Sequence, residues 1–395
     1  MRLLLVATIA DTLRGFYLPL VRHFRQRGWC VDGLAQGISS CPDCRSAFDN
    51  VFEADWSRNP ADTRNFLAAP GQVRKIVERR EYDIVHVNTP VASFITRLAL
   101  RQYANRAPAV IYTAHGFHFH EQGVWWKNAI YLSFERIAAR WTDYLTLMNQ
   151  EDIQMAITRK MLPPERIVYI PGVGIDLSVY GQRAVSFDQV SELRNTLGIC
   201  PEQPVLLMVA EFIPRKRHCD ALRAFEAVGH PTALLMFAGD GPLQEPSRQL
   251  ARKLGIESRV LFLGARRDVP DLLAAASALI LPSTQEGLPR SVMEAMAMEV
   301  PVIGSDIRGT RDLLGEGRGI LFPPRDSRAL AGAISKILDN PQEARSMAAF
   351  AKRGLKPFEM ENVLRQHELL YERAAMLYKQ RSIAGMDQAP AKVGG

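Results

Sequence analysis

The stretch ALILPSTQEGLPRSVMEAM, residues 278–296, shows most directly what fold this chain adopts. It opens with an apolar run, Ala278 to Leu281, that ends at a proline and is typical of a buried strand. From Ser291 onward the apolar residues recur at helical spacing. A strand, a loop and a helix in this order predict a parallel α/β sheet, in which the loops after the strands bind ligands.

Two carboxylates, Glu286 and Glu294, stand in this stretch with seven residues between them. We expect Glu286 on the loop and Glu294 about two turns into the helix. We also expect Leu288 and Pro289 to place backbone N–H groups at the helix entrance, where the helix dipole stabilises an anion. A diphosphate at this entrance, a sugar at Glu286 and a ribose at Glu294 fit the layout, which favours a nucleotide-sugar site.

The alternation of apolar runs and helical patterns continues along the chain and predicts an α/β protein. Six strands are predicted in the first half, at residues 3–7, 31–35, 84–87, 110–113, 145–148 and 167–170. Six more are predicted in the second half, at residues 205–209, 233–237, 260–263, 278–281, 300–303 and 320–322. Each set predicts a Rossmann-like, doubly wound parallel sheet that binds ligands at the carboxyl ends of its strands.

A turn-rich segment, residues 171–176, and the polar stretch after it predict a boundary between two domains of similar size. We expect an amino-terminal domain over residues 1–180 and a carboxyl-terminal domain over 190–359, facing each other across a cleft. A long amphipathic helix over 360–380 is expected to cross back to the first domain. Residues 382–395 are rich in glycine, alanine and proline and predict a disordered tail.

The composition is that of a globular protein, with 47% hydrophobic and 23% charged residues among 395. No uncharged apolar run reaches about 18 residues, so no membrane-spanning helix is expected. Asp11 and Arg14 closely follow the first apolar run, which is therefore interpreted as a strand rather than a signal peptide, and a cytoplasmic chain is expected. The net charge of +7 suits nucleic acid or anionic lipid, but no nucleic-acid-binding motif is visible and no nucleic-acid partner is predicted.

Two cations, Arg215 and Lys216, closely follow the strand predicted at residues 205–209. Adjacent positive charges on such a loop suit a leaving nucleotide diphosphate, whose charge must be stabilised in the transition state. A solvated basic loop is the alternative interpretation.

Gly239-Asp240-Gly241 follows the next predicted strand. The glycines allow backbone to approach a ligand closely, although the same tripeptide also forms ordinary turns.

His115 comes directly off the strand predicted at residues 110–113, so its ring is expected to face the cleft and to hydrogen-bond a sugar. His118 and His120 follow within five residues and raise the question of a metal site. Because no acidic cluster accompanies the three histidines, no metal is predicted.

The helix predicted over residues 128–141 combines aromatic side chains with arginines, among them Phe134, Arg136 and Arg140. This combination favours a bilayer interface. A core-facing helix with solvated bases is the alternative.

Taken together, these motifs resemble those of the retaining glycosyltransferases of family 4, which have the two-domain GT-B fold. The resemblance covers nearly the whole chain to about residue 380, and the pair Glu286 and Glu294 is its most specific part. It implies catalytic roles for Glu286, His115, Arg215 and Lys216. It implies substrate or nucleotide binding by a set of loop residues and one helical glutamate: Gly15, Gly239, Asp240, Gly241, Gly287, Leu288, Pro289 and Glu294.

The chain departs from the family pattern at two places. Glu211 stands where many members have arginine, so the cationic role falls to Arg215 and Lys216. The glycine pair that often follows the first strand is reduced here to Thr12-Leu13-Arg14-Gly15, a predicted loop that faces the acceptor.

Residues 57–60, 83–90 and 113–119 narrow the resemblance to a bacterial subgroup that builds capsule, exopolysaccharide or other glycans on polyprenyl diphosphate. This implies a UDP-sugar as donor substrate, no cofactor, and a polyprenyl-diphosphate-linked acceptor for a hexose or N-acetylhexosamine. It also implies a peripheral position on the cytoplasmic face of the cytoplasmic membrane. The sequence has no obvious metal-binding Asp-x-Asp motif, which fits a metal-independent reaction.

Two other functions stay open. A UDP-sugar epimerase of the same fold would act without an acceptor, and a non-catalytic protein that binds anionic ligands would show no turnover. A glycosidase is disfavoured, because Glu294 within a helix is poorly placed to flank a glycosidic bond.

Overall fold

The computed structural model describes residues 1–57, 59, 62–106, 108–117, 125–181 and 184–387, with the side chains of 104–106, 127 and 382–387 excepted. The chain divides into two compact units. Residues 1–173 and 363–395 form the first unit, and residues 174–362 form the second.

The first unit contains a seven-stranded parallel sheet. Its strands are β1 (Arg2–Ile9), β2 (Cys30–Gln36), β3 (Asn50–Glu53), β4 (Ile84–Asn88), β5 (Ala109–Ala114), β6 (Tyr144–Leu147) and β7 (Ile167–Tyr169). Their order across the sheet is β3-β2-β1-β4-β5-β6-β7. The order reverses between β1 and β4, and this reversal is the switch point at which doubly wound sheets bind ligands.

The six strands predicted for this half are confirmed to within two residues at each end. The sequence analysis missed β3, which pairs only with β2 at the edge of the sheet. Its four residues include only two apolar side chains, Val51 and Phe52, and both stay partly exposed. A short edge strand therefore lacks the continuous apolar run that marks the buried strands.

The second unit contains a six-stranded parallel sheet. Its strands are β8 (Val205–Val209), β9 (Leu234–Ala238), β10 (Val260–Phe262), β11 (Ala278–Leu281), β12 (Val302–Ser305) and β13 (Ile320–Phe322). Their order is β10-β9-β8-β11-β12-β13, so the switch point lies between β8 and β11. All six predicted strands are confirmed.

Seventeen helices are found in the described residues. The first unit holds α1 (Ala10–Phe16), α2 (Leu18–Gln26), α3 (Pro42–Ala47), α4 (Arg64–Leu67), α5 (Ala69–Arg80), α6 (Pro90–Leu100), α7 (Trp125–Ala139) and α8 (Gln150–Thr158). The second unit holds α9 (Phe187–Thr196), α10 (His218–Val228), α11 (Gln244–Lys253), α12 (Val269–Ala274), α13 (Arg290–Ala297), α14 (Thr310–Leu314), α15 (Ser327–Asp339) and α16 (Pro341–Arg353). The last helix is α17 (Met360–Asp387).

Residues 12–15 do not form the loop that the sequence analysis predicts. They lie within α1, which begins directly after β1. Ala10 and Leu13 are buried against the sheet. Burial of this apolar face stabilises a helix at this point. Gly15 is exposed in the last turn of this helix.

Both sheets are covered on both faces. Along β1, Leu3 and Leu5 enter one buried cluster, whereas Leu4 and Val6 enter the other. Successive strand residues point to opposite faces, so a strand buried on both sides needs an unbroken apolar run. Leu206 and Leu207 of β8 divide in the same way in the second unit.

The carboxyl-terminal helix completes the core of the first unit. Leu370 and Tyr371 of α17 are buried in the same cluster as Leu3 and Leu5. The helix continues to Asp387, past residue 382, where the sequence analysis places the start of a disordered tail. Residues 388–395 lie outside the described residues. Among the described helices none is long and apolar enough to cross a bilayer.

Candidate functional site

An ion pair joins the two strand ends at the switch point of the second unit. Lys216 ends a short 3₁₀ turn, Pro214–Lys216, that follows β8, and Glu286 lies on the loop after β11. The ammonium of Lys216 is 2.6 Å from Oε1 of Glu286, and the two side chains are only 14% and 7% exposed. Two motifs that are 70 residues apart in sequence therefore form one contact.

Arg215 strengthens the link between these loops. Its Nη1 donates to the carbonyl of Gln285 at 3.1 Å and lies 3.6 Å from Oε2 of Glu286. The N–H of Thr284 donates to the carbonyl of Arg215 at 2.8 Å. The Arg215 side chain is 44% exposed. Two cations around one carboxylate leave a net positive charge at the strand ends, which suits an anionic ligand.

A third cation in the same run has a structural role. Arg217 has a left-handed backbone conformation, with φ of 58°, immediately before α10. Its guanidinium makes two 2.7 Å hydrogen bonds to the carboxylate of Asp220 in the first turn of that helix. The basic run therefore divides into two cations beside Glu286 and one that anchors α10.

The glycine loop after β9 packs against the loop after β8. A Cβ on Gly239 would lie 2.0 Å from the carbonyl oxygen of Ala210, and a Cβ on Gly241 would lie 2.8 Å from that of Phe212. The N–H of Phe212 donates to the carbonyl of Asp240 at 2.8 Å. These glycines are thus required for contact between two protein loops, a role that the sequence analysis did not assign to them.

A similar close approach holds the loop that carries Gly287. A Cβ on Gly309, at the start of α14, would lie 2.0 Å from the carbonyl oxygen of Gly287. The expectation that Pro289 supplies an N–H is wrong, because its ring nitrogen carries no hydrogen. Pro289 caps α13, and the amides of the first helical turn begin at Arg290. Of the two residues named for this role, only Leu288 can donate from its backbone.

Glu294 lies one turn into α13 rather than two, because the helix begins at Arg290. Its carboxylate accepts a 2.9 Å hydrogen bond from Nε of Arg290 and another from the hydroxyl of Tyr180. Burial raises the pKa of Glu294. Burial and the neighbouring Glu294 carboxylate raise the pKa of Tyr180. The sequence analysis missed Tyr180, since no local pattern connects it to a residue 114 positions later.

In the first unit His115 follows β5, as predicted, and its ring is held by Tyr17. Nε2 of His115 lies 3.1 Å from the hydroxyl oxygen of Tyr17, whose own hydrogen is donated to Oδ1 of Asn88 at the end of β4. Tyr17 must therefore accept from Nε2, which assigns the Nε2–H tautomer to a neutral His115 and leaves Nδ1 as an acceptor. Burial lowers the pKa of His115 to about 4.

Gly15 is linked to this histidine through its neighbour in sequence. It precedes Phe16, whose ring centroid is 6.1 Å from that of His115. The remaining histidines of the motif, His118 and His120, lie outside the described residues. Among the residues that are described, no group of three or more His, Cys, Asp or Glu side chains could hold a metal ion.

The packing of the glycine loop makes a prediction about stability. Gly239→Ala should lower the free energy of unfolding by at least about 2 kcal/mol, because its Cβ would collide with a backbone carbonyl at a φ of 153° that alanine avoids. Gly332→Ala is the matched control, since it lies exposed in α15 with nothing within 4 Å of its Cβ position. That change should stabilise by about 0.5–1 kcal/mol. Urea unfolding of both variants measures the difference, and equal effects would contradict the packing argument.

Comparison with known proteins places each half of the chain in a family. A model described as "Glycosyltransferase Family 4" matches residues 17–179, and one described as "Glycosyl transferases group 1" matches residues 189–354. "Putative glycosyltransferase EpsD" of Bacillus subtilis (strain 168) is 33% identical over 350 residues, which cover 88% of this chain and 90% of that protein. The "UDP-Gal:alpha-D-GlcNAc-diphosphoundecaprenol alpha-1,3-galactosyltransferase" of Escherichia coli is 28% identical over 272 residues, covering 67% and 69% of the two chains.

A solved structure shares the fold of this chain. Alr3699/HepE of Anabaena, crystallised in complex with UDP-glucose, superposes with a TM-score of 0.77 at 20% identity, covering 94% of this chain and all of that one. This similarity confirms the predicted fold class of two Rossmann-like parallel-sheet domains. With glycosyltransferase models matching both halves and a relative at 33% identity over nearly its whole length, the chain belongs to the glycosyltransferases of the GT-B fold, with a family 4 domain followed by a group 1 domain.

Proposed function

We propose that this protein is a retaining glycosyltransferase that moves a hexose or N-acetylhexosamine from a UDP-sugar to a polyprenyl-diphosphate-linked sugar. The reaction would serve the assembly of a cell-surface polysaccharide or glycan at the cytoplasmic face of the cytoplasmic membrane. The observation that carries the proposal is the partly buried pair of Lys216 and Glu286, with Arg215 beside it, at the switch point of the second sheet.

The donor assignment rests on the charge of this site and on the relatives. The Escherichia coli enzyme is named for UDP-Gal, and the Anabaena protein was crystallised with UDP-glucose. In this chain Arg215 and Lys216 would bind the diphosphate, with the backbone of Gly287 and Leu288 nearby. The loop Gly239–Gly241 would take the nucleotide and Glu294 the ribose, while Glu286 and His115 would orient the sugar.

The reaction proceeds on one face of the sugar. The bond from the anomeric carbon to the diphosphate oxygen breaks, and the acceptor oxygen bonds to the same face, so the configuration is retained. The acceptor hydroxyl gives its proton to the departing phosphate oxygen, so no strong protein base is required. Negative charge grows on the diphosphate as it leaves, and Lys216 and Arg215 stabilise it in place of a divalent cation.

The Lys216–Glu286 pair prepares the site for this step. The carboxylate holds the ammonium at 2.6 Å before any substrate arrives, so little reorganisation is needed when charge develops. Arg215 is more exposed and makes a longer contact with the carboxylate, so its guanidinium can turn toward a diphosphate by giving up its hydrogen bond to the Gln285 carbonyl. Lys216 would thus make a fixed contact with the diphosphate and Arg215 an adjustable one.

His115 contributes a hydrogen bond rather than a charge. With its pKa lowered to about 4, the imidazole is neutral at physiological pH. Its Nε2–H is directed to Tyr17, so Nδ1 is the atom that would accept a hydrogen bond from a sugar hydroxyl. Tyr17 and Asn88 act as positioning residues because they reach the substrate only through His115.

A lipid-linked acceptor is supported by the surface of the first unit. The helix α7 exposes aromatic side chains, with Tyr131 41% and Phe134 49% exposed, so the core-facing alternative is wrong for these two residues. Close by, a pocket of about 400 Å³ is lined by four cations: Arg136, Arg140, Lys160 and Arg166. Within the described part of the chain none of the four pairs with a carboxylate. Aromatic and basic groups together suit an anionic membrane surface.

UDP release from the purified protein tests the function. A panel of UDP-sugars is assayed with and without a polyprenyl-diphosphate-linked sugar, and the anomeric configuration of the product is determined by NMR. Release that requires one donor and the acceptor, with a product of retained configuration, is expected. Conversion of the sugar without acceptor would identify an epimerase. Binding of nucleotide-sugar without turnover under any condition would identify a non-catalytic protein, and transfer to a soluble acceptor alone would overturn the lipid-linked assignment.

Removing the fixed cation should abolish most activity. Lys216→Ala is expected to lower kcat at least ~10²-fold, as is typical for loss of one preorganised electrostatic group. The same substitution leaves the negative charge of Glu286 without one of its two cations and should lower the free energy of unfolding. Lys216→Met combined with Glu286→Gln is measured in parallel to separate this loss of stability from the loss of rate. The double variant should regain stability without regaining rate. Lys336→Ala, which removes an exposed lysine of α15, is the control, and near-normal turnover of Lys216→Ala would sink the assignment.

Loss of the Tyr17 hydroxyl should affect the sugar step and spare nucleotide binding. Tyr17→Phe keeps the ring but removes the hydrogen bond that fixes His115, so kcat should fall roughly 5–10-fold, corresponding to about one hydrogen bond. The Kd for UDP should not change. Tyr82→Phe is the matched control, because its buried hydroxyl binds Asp32 in the same unit away from His115. Equal losses of rate in the two variants would show that Tyr17 acts only through stability.

The basic pocket should control membrane association. Arg136→Ala combined with Arg140→Ala is expected to weaken binding to phosphatidylglycerol vesicles roughly tenfold or more, given about 1 kcal/mol per cation near an anionic surface. Binding to phosphatidylcholine vesicles should change little. Arg328→Ala combined with Arg345→Ala, two exposed arginines of the second unit, is the control of equal charge. Sedimentation with vesicles at low salt measures the effect, and equal weakening by both pairs would remove the basic pocket from the argument.

A further inference from the structure

An apolar pocket of about 430 Å³ lies in the first unit among α4, α6 and α7. Its volume falls in the range of roughly 300–1,000 Å³ that is usual for small-molecule sites. The apolar side chains that define it include Phe66, Val91, Phe94, Phe117, Ile130 and Phe134. Phe66, Ile130 and Phe134 are each nearly half exposed, so the pocket is bounded by apolar groups that water still reaches.

Four polar residues that line this pocket are already bound to protein partners: Asn65, Arg97, Tyr112 and Glu135. Arg97 is 3.2 Å from a carboxylate oxygen of Glu135, lies over the ring of Tyr112 at 4.1 Å, and is 2% exposed. The hydroxyl of Tyr112 donates to the same carboxylate at 2.9 Å. Asn65 accepts from the backbone of Ser57 and donates to the carbonyl of Asn59, both at 2.9 Å. A polar ligand would find these groups occupied, so apolar area decides what binds.

The pocket begins beside the candidate site of the first unit. Phe117 follows His115 by two residues. Pro90, which also lines the pocket, follows Asn88 by two residues, and Asn88 holds Tyr17 against His115. The carboxyl ends of β4 and β5 therefore lead both to the neutral histidine and to the apolar pocket.

Cations near the pocket indicate that the ligand carries a negative charge at its other end. The same helix, α7, carries Arg136 into the basic pocket, and Arg140, directly after the helix, joins it there with Lys160 and Arg166. A ligand with an apolar chain and an anionic head group matches an apolar pocket and a cationic one on a single helix.

We propose that the pocket among α4, α6 and α7 binds the isoprenoid chain of the acceptor lipid and gives the enzyme selectivity for long-chain acceptors. This inference rests on the proposed function, which supplies the polyprenyl-diphosphate acceptor. Each buried methylene of such a chain contributes a further increment of affinity, so chain length itself is recognised.

The first test measures binding without turnover. Calorimetry compares geranylgeranyl diphosphate, below its micelle concentration, with ethyl diphosphate. The native protein should bind the long chain at least ~10-fold more tightly, since burial of only a few methylenes is enough for that ratio. Equal affinity for the two diphosphates would overturn the proposal.

Two matched variants separate the pocket from the surface around it. Ile130→Glu places a charge in the pocket wall, whereas Ile137→Glu makes the same change two turns later on the same side of α7, outside the pocket. The two side chains are similarly exposed, at 48% and 44%. Ile130→Glu should lose the preference for the long chain, and Ile137→Glu should keep it. Equal loss in both variants would mean that the chain only adsorbs to the helix surface, and this result would overturn the pocket.

Other occupants give distinguishable results. If residues 118–124 of the chain fill the pocket, Phe119→Ser should raise the affinity for the long chain, which would contradict the proposal. If a second molecule of the protein fills the pocket, the affinity for the long-chain diphosphate should fall as protein concentration rises. This result would also contradict the proposal.

Turnover separates this inference from the proposed function. Acceptors with one sugar and either a long isoprenoid or an ethyl chain are compared by kcat/KM. Equal values with efficient transfer would keep the transferase and overturn the chain pocket. Selective binding of the isoprenoid without transfer to any such acceptor would keep the pocket and overturn the proposed acceptor.

Discussion

The partly buried ion pair between Lys216 and Glu286 is the contact on which the candidate site of the second unit depends. It forms where the strand order reverses between β8 and β11, so two loops that leave adjacent strands meet directly. Gly239 and Gly309 make this geometry accessible because any side chain there would collide with the backbone of a neighbouring loop. A cation placed in this way before substrate binds is suited to a charge that develops only during reaction.

The two units use the same topology for different chemistry. Around the switch point of the second sheet, two cations meet one carboxylate, and this arrangement suits an anion. At the strand ends of the first sheet, neutral hydrogen-bonding groups predominate: Tyr17, Asn88 and a histidine whose pKa is far below its usual value. A sugar, which is polar but uncharged, suits the second kind of environment. The division follows from which side chains end each strand, since the backbone framework is shared.

On the surface of the first unit, an apolar pocket and a basic pocket are both lined by residues of α7. In the pocket among α4, α6 and α7, Arg97, Tyr112 and Glu135 satisfy one another and leave an apolar wall. Arg136 in the last turn of α7 and Arg140 directly after it remain without carboxylate partners in the described part of the chain. Internal pairing of the charges therefore decides, as much as exposed apolar area does, which part of this surface is apolar and which is cationic.

Local patterns in the sequence determined the twelve predicted strands, the two parallel sheets and the strand-end positions of Glu286, Lys216 and His115, because strands buried on both faces need unbroken apolar runs. The edge strand β3 was not predicted, because a partly exposed edge strand has no continuous apolar run. The helix around Gly15 was not predicted either, because it is favoured by the burial of Leu13. Tertiary structure alone decided that Lys216 meets Glu286, that Tyr180 meets Glu294, and that Tyr17 fixes His115. These contacts join residues that are 70 or more positions apart, so no local pattern contains both partners, and for Lys216 and Glu286 the pairing arises because the sheet order places β8 beside β11.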